Sequence, residues 1–457
     1  MQTNLLPGCL GGFETEYAVA AFDGEGLRIP APRVSEALIR LAAQSYPSLP
    51  SGQDDGVHLT NGGKLYRERG AAADYGLPEW ATPECSDPVD LVCQVEAGNL
   101  LLERLCSQLP EFDPTIRTAT AFRHNIDHVS GTSWATHFNA MTTSPIETLV
   151  SQLVPFLASN VVIGGAGGFS LLTRQFSVAP RCSTIESVTS GTTTYNRGLL
   201  DTRQLSHCPS GLGRRQHLLG FESLSSEFQR YVAAGSTLLT MRLCDAGLEP
   251  ANGVMLADPI AALHAFCQDP YCRVTQRTTQ RRRQVTAIEI QRHYLEAVRA
   301  AISAGIPFPS WASDCCDRWD ELLSALGQGA PESVADRLDW ATKWVLFQNA
   351  DTSMERQLEI DIRYGQLDAQ HGIFRRLEAG LLAHRIVTPE QIARALHTPP
   401  SDTRARTRGL AVAELHSRGE RGLAYWDRVV AAEERSLNLS NPFDASDPVW
   451  TDSRVAS

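Results

Sequence analysis

At 457 residues, 42% of them apolar and 20% charged, the chain is long enough for a large core. It is too evenly mixed for a disordered, collagenous or coiled-coil protein. Its net charge of −11 argues against a general binder of nucleic acid or anionic membrane, which would need a basic surface.

Met1, Gln2, Thr3 and Asn4 form no positively charged leader, and no stretch reaches membrane-spanning length, so a cytoplasmic protein is expected. In chain order, the first strand expected is Gly12 to Val19. Strand alternation there puts Phe13, Thr15, Tyr17 and Val19 on one face and Glu14, Glu16 and Ala18 on the other. An amphipathic helix follows around 34–43, then an extended stretch from Val57 to Glu68 broken by the turn signal Asn61-Gly62-Gly63. A helix over 90–109 should end at Pro110. Segments 119–127 and 134–141 read as neighbouring strands. Gly164-Gly165-Ala166-Gly167-Gly168 has neither P-loop nor dinucleotide spacing and reads as a turn between helix and strand. Thr286 and Glu289 form a capping box, and another helix is expected over 332–347. A last clear helix starts at Thr388, with Pro389 at its first position. A seam near residue 387 would leave a small C-terminal domain, 387–457, after a domain spanning 1–386. Strands early and helices late indicate α+β.

The residues able to carry chemistry cluster early. Glu14 and Glu16 share a strand face, and hard divalent cations want such oxygen ligands, although an exposed polar face is the plainer reading. Lys64, Tyr66 and Glu68 repeat the two-residue spacing, with Glu79 and Thr82 downstream in Pro78-Glu79-Trp80-Ala81-Thr82-Pro83-Glu84-Cys85. Several carboxylates gathered this way are costly without a cation. His137 and Asn139 could face a nucleotide or a metal. Arg404 and Arg406 belong to an alternating run ending at Arg408 and suit phosphates or developing oxyanions. The eleven cysteines lack metal-ligand spacing, so reduced thiols and no zinc are expected. Of 41 basic residues only Lys64 and Lys343 are lysines, which base composition explains plainly. A sharper explanation is an enzyme that uses lysine as acceptor and avoids modifying itself.

These residues carry a resemblance. Gly12-Phe13-Glu14-Thr15-Glu16-Tyr17, Asn61-Gly62-Gly63-Lys64-Leu65-Tyr66 and Pro78 to Cys85 are similar to the G-I-E-T-E-F/Y, N-G-A-R-L-Y and P-E-Y-A-T-x-E-C segments of the Pup ligase and depupylase family. Asp361 with Tyr364, Thr403 to Gly409 and Asn441-Pro442-Phe443 continue the likeness in the same order. The resemblance implies an α+β fold with a glutamine-synthetase-like antiparallel sheet packed with helices. It implies ATP and Mg2+ as cofactors, a Pup-like modifier and target lysines as partners, and a possible link to a proteasome. By match, Glu14, Tyr66 and Glu79 hold magnesium, with Glu16 beside them, while Lys64, Thr82 and Trp426 contact ATP. His137, Arg404 and Arg406 are further candidates for the nucleotide. The family's catalytic base is an aspartate two residues after the tyrosine. Glu68 stands there in this chain, and Asp74, in a short insertion, is the alternative. The family's histidine-glutamate-asparagine reads His137-Phe138-Asn139.

The activity so implied is an ATP-dependent ligase joining a glutamate side-chain carboxylate to a lysine amine through an acyl phosphate. The alternatives are a depupylase or deamidase cutting the same bond, a ligase acting on small substrates, and a nucleotide-binding pseudoenzyme. Only about 48 residues lie between Tyr17 and Leu65, too few for the long insertion of the depupylase branch, which tilts the reading to ligase.

Overall fold

The computed structural model describes residues 5–68, 76–134, 136–170, 173–192, 195–203, 208, 212–280, 283–350, 353–432 and 435–452. Asp74 lies outside them. The chain forms two compact units, each discontinuous in sequence. The first comprises Leu10–Arg123, Leu205–Arg214 and Val387–Ser457, and the second Met1–Cys9, His124–Gln204 and Arg215–Ile386.

The first unit opens with β1 (Gly11–Glu16), β2 (Ala18–Phe22), α1 (Ala31–Ser45), β3 (Ser48–Pro50), β4 (Val57–Leu59), β5 (Lys64–Arg67) and β6 (Pro78–Ala81). Then come α2 (Pro88–Phe112) and β7 (Thr118–Phe122). The expected first strand is therefore two, β1 and β2, separated at Tyr17. Strands β1, β6, β5, β4 and β3 lie side by side in that order and pair antiparallel. The β4–β5 hairpin turns on Asn61, whose side chain accepts the Gly63 N–H at 3.0 Å, and on Gly62, whose φ of +80° glycine adopts without strain. Any Cβ on Gly62 would also sit 2.9 Å from the Ala405 carbonyl. Helix α2 starts where Asp87 caps the Val89 N–H and Pro88 fills the first turn. It runs through Pro110 instead of stopping there. The proline forfeits one hydrogen bond, but the Asp113 N–H still closes on Leu109. Trp80 locks α2 onto the sheet: it is fully buried, its indole N–H reaches the Gln94 carbonyl at 3.0 Å, and Gly98 leaves room for its ring.

The second unit contains β8 (Thr136–Thr142), α3 (Ile146–Ser159), α4 (Val161–Gly164), β9 (Gly168–Ser170), β10 (Gln175–Ser177), β11 (Ser187–Ser190), β12 (Gly198–Asp201) and β13 (Arg214–Leu218). Helices α5 (Glu227–Asp245) and α6 (Pro259–Cys267) follow, then the hairpin β14 (Thr275–Arg277) and β15 (Gln284–Thr286). Five further helices are α7 (Ala287–Ser303), α8 (Ala312–Leu326), α9 (Asp339–Asn349), α10 (Met354–Tyr364) and α11 (Ile373–Ala379). The order β11-β12-β13-β8 forms its sheet, in which β11 and β12 run parallel. The segments expected to be neighbouring strands are not partners: β7 pairs with β2, from Ala18↔Phe122 to Phe22↔Thr118, and β8 lies beside β13. The capping box at Thr286 and Glu289 opens α7 as the spacing requires. The helix expected over 332–347 is a 3-10 turn at Pro331–Val334 followed by α9.

The chain then returns to the first unit with α12 (Pro389–Ala395), α13 (Arg404–Ser417) and the hairpin strands β16 (Gly422–Ala424), β17 (Arg428–Ala431), β18 (Arg435–Asn438) and β19 (Thr451–Asp452). Leu49 from β3 joins Ala411, Val412, Leu415, Ala424, Val429 and Leu437 in one apolar cluster, which fastens this last stretch to the N-terminal sheet. Among the described residues no helix is long and apolar enough to cross a membrane.

Candidate active site

The register of β1, β6 and β5 decides which side chains meet. Glu16 lies opposite Glu79, and Glu79 opposite Tyr66; one step along, Glu14 lies opposite Ala81, and Ala81 opposite Lys64. Directly opposed residues share a face, so Glu14, Glu16, Lys64, Tyr66 and Glu79 project from one side of this sheet. Thr15, Trp80 and Leu65 form the row between and project from the other side, all three buried. Glu68 extends the acidic face just past β5, its N–H bonded to the Leu77 carbonyl at 2.9 Å.

The electrostatics register this crowding. Burial pushes the Glu79 carboxyl well above the ordinary carboxylate range, and Glu14, Glu16 and Glu68 push it the same way. Burial also raises the Tyr66 phenol, with Glu79, Glu14 and Glu68 adding to it, so the hydroxyl stays protonated and donates to Glu79. Lys64 is the cation of this face among the described residues; its ammonium contacts Asp54 and sits 4.3 Å from the Tyr66 ring centre. Oxygen donors packed this closely, with one lysine among them, suit a hard divalent cation such as Mg2+.

The other expected nucleotide contacts are more dispersed. Thr82 is buried, and its hydroxyl accepts the Phe13 N–H at 3.0 Å. Arg404 and Arg406 were expected on one alternating stripe, but Thr403 caps a helix, so residues two apart diverge and residues four apart align. Arg404 binds Glu84 at 2.7 Å, and Arg406 points instead to the C-terminal tail, reaching Asp447 at 2.8 Å and the Ala445 carbonyl. Arg408 shares the Arg404 face. Its guanidinium is fully buried against Glu84 at 2.5 Å, donates to the Gly62 and Trp426 carbonyls, and stacks 4.8 Å from the Trp426 ring. His58 packs edge-on against Trp426 at 5.2 Å, and neither of its ring nitrogens has a hydrogen-bond partner among the described residues. Burial pulls its pKa well below the ordinary histidine value, helped by Arg408 and Lys64, so the ring is neutral. His58 and Asp54 escaped the sequence reading, and Arg408 entered it only as the end of an alternating run. Only Arg408 had a signal, the Thr403 cap that converts an alternating run into a helix.

His137 belongs to the second unit. Its ring meets His217 at 4.7 Å and the Arg181 guanidinium at 3.3 Å. Burial, with His217 and Arg181, keeps it neutral.

A family model described as Pup-ligase protein matches residues 10–430. The chain belongs to the Pup-ligase family. Within it, the chain is 30% identical over 458 residues to a Pup–protein ligase of Micrococcus luteus, covering 95% of each protein. It is also 30% identical over 389 residues to a Pup deamidase/depupylase of Mycobacterium tuberculosis, covering 81% of this chain and 74% of that one. Its fold is shared with the ligase PafA in a crystal structure with Pup, at a TM-score of 0.84 and 24% identity over 97% of this chain and 91% of that one.

Proposed function

We propose that this chain is an ATP-dependent ligase that joins a glutamate side-chain carboxylate of the protein modifier Pup to a lysine amine of a target protein. The observation that carries the reading is the match to a Pup–protein ligase along nearly the whole of both chains, with the acidic face at its N-terminal end. The depupylase match leaves about a quarter of that protein uncovered. Here the interval between β1 and β5 is taken up by β2, α1, β3 and β4.

A carboxylate oxygen is a poor leaving group, so it must first be activated. The modifier carboxylate attacks the γ-phosphorus of ATP, ADP leaves, and an acyl phosphate forms. The lysine nitrogen then attacks the acyl carbon, phosphate departs, and an isopeptide bond remains. Glu14, Glu16, Tyr66 and Glu79 would hold Mg2+, whose charge offsets that of the phosphates. Lys64, Thr82 and Trp426 bind the nucleotide in this reading, with Lys64 a cation on the acidic face. The attacking amine must lose a proton, and Glu68, on the acidic face just past β5, takes it in this reading. Arg408 holds Trp426 and the β4–β5 turn through its bonds to the Trp426 and Gly62 carbonyls, and Glu84 holds Arg408 beside Arg404. Arg406 bonds the tail at Asp447 and Ala445, and in this reading it takes no part in holding the nucleotide.

A hydroxylamine trap tests this. Purified protein is mixed with ATP, Mg2+ and a Pup peptide ending in glutamate, and hydroxamate and ADP are read by mass spectrometry. Hydroxamate that requires both ATP and peptide is expected. Cleavage of a Pup–lysine conjugate without stoichiometric ADP would put the depupylase first.

A further inference from the structure

The second unit holds a side-chain cluster that the ligase reading leaves unused. His124 and His128 lie on the segment before β8, Asp361 lies on α10, and each offers one ligand atom within 4.8 Å of the others. His124 is buried, and its Nε2 has no hydrogen-bond partner among the described residues. His128 Nε2 stands 3.1 Å from Asp361 Oδ2, while its Nδ1 is buried without a hydrogen-bond partner among the described residues. The two rings are 5.1 Å apart.

Asp361 is held rigidly. Lys343 donates to Oδ1 at 2.7 Å and to the Gly167 carbonyl at 2.9 Å, and the Phe169 N–H donates to Oδ2 at 3.1 Å. The glycine-rich turn before β9 exists for this approach: Gly167 has φ +65°, and a Cβ on Gly168 would lie 2.6 Å from the Asp361 carboxylate. Trp134 lies 5.8 Å from His124 and Phe169 lies 6.3 Å from His128, walling the cluster with rings. The charged groups facing it are Asp361, Lys343 and, beside His124, Asp127.

We propose that His124, His128 and Asp361 form a binding site for a divalent transition-metal ion of the zinc class. Two imidazoles and one carboxylate are borderline N and O donors, suited to such an ion and not to Mg2+, which prefers an all-oxygen set. The 3.1 Å between His128 Nε2 and Asp361 Oδ2 is close to the edge of a tetrahedron around an ion with bonds of about 2.0 to 2.1 Å. A bound ion gives the unmatched His124 Nε2 a partner and ties the 124–134 segment to α10. This site involves none of the acidic-face residues and does not depend on the ligase reading.

The test uses the full chain, stripped of metals by chelation and kept in excess Mg2+ without ATP or peptide. Zn2+ is titrated calorimetrically, and Co2+ is used as the spectroscopic probe. One equivalent of Zn2+ should bind at micromolar affinity or tighter, and Co2+ should give ligand-field bands without a thiolate charge-transfer band. His124→Asn and His128→Ser should each weaken Zn2+ roughly tenfold or more. In the unmutated protein labelled with nitrogen-15 histidine, Zn2+ should shift the two ring signals that these variants remove. Absence of Zn2+ binding, affinity unchanged in either variant, or a thiolate band overturns the proposal. So does binding that shifts only other histidines.

Discussion

Glu84 is a carboxylate whose value depends on two arginines. Burial alone would push its pKa up; Arg408 and Arg404 overcome that and hold it at about 2. Burial also pulls Arg408 down, so the net worth of the pair is smaller than the shift of Glu84 suggests, while breaking it leaves a buried charge exposed to the full penalty. A depressed carboxyl stabilises the fold fully above its ordinary value of 4.5 and loses that contribution as pH falls toward about 2. Glu84→Gln should therefore cost about 3 kcal/mol near neutrality. In denaturant titrations the gap from the parent protein should narrow as pH drops from about 5 toward 2, and a gap independent of pH would sink the assignment. Glu68 makes a different prediction. As proton acceptor, its replacement in Glu68→Ala should cut conjugation roughly 100- to 10,000-fold while ADP binding survives, measured by gel-based conjugation and by calorimetry. Two-residue spacing made Glu14 with Glu16, and Lys64 with Tyr66, legible as pairs on a strand face; that these pairs share one face with Glu79 comes from the register of β1, β6 and β5. Asp54 and His58 were not, because their roles come from packing against Lys64 and Trp426, and no local pattern announces that.

At the scale of elements, the cap at Thr403 matters more than the arginines after it. Once that residue starts a helix, Arg404 and Arg408 fall one turn apart and Arg406 swings to the opposite side. The two faces should separate in function. Arg408→Ala removes both the stacking on Trp426 and the bonds to the Gly62 turn, and should weaken ADP binding by about tenfold or more. Arg406→Ala should leave ADP affinity within about twofold of the parent, since exposed pairs are worth little. Equal losses in the two variants, read by calorimetry, would contradict the helical assignment of roles. Elements with local signals were readable in advance: the Asn-Gly-Gly hairpin, the capping boxes at Thr286 and Thr388, and the glycine turn before β9. Pro110 misled because a proline in the last turn loses only one bond, and the helix continued past it. The pairing of β7 with β2 was unreadable, since partners about a hundred residues apart carry no turn signal between them.

The α+β class followed from strands early and helices late, but which segments build one unit did not. The first unit takes Leu10–Arg123 from one end of the chain and Val387–Ser457 from the other. What joins them is plain in the structure and silent in the sequence: the Asn61 and Gln94 amides donate to the Ala395 and Thr398 carbonyls, at 3.0 and 3.2 Å. Arg404 and Arg408 close on Glu84, and Leu49 packs into the apolar cluster of α13 and the last hairpins. A chain cut after Ile386 would leave Glu84 without its arginines and Leu49 without its core. The severed piece would in turn lose the carboxylate that neutralises two buried guanidinium groups. Neither fragment should fold as the intact protein does. The piece from Val387 onward, expressed alone, should give a collapsed amide spectrum and no cooperative thermal transition, while residues 1–386 should bind a dye for exposed apolar surface and fail to retain ADP. Mixing the two should restore part of the ADP binding, because the missing contacts are all between them. A dispersed spectrum and sharp unfolding from the isolated C-terminal piece would show instead that its helices and hairpins carry a sufficient core of their own, and that Glu84 merely docks it.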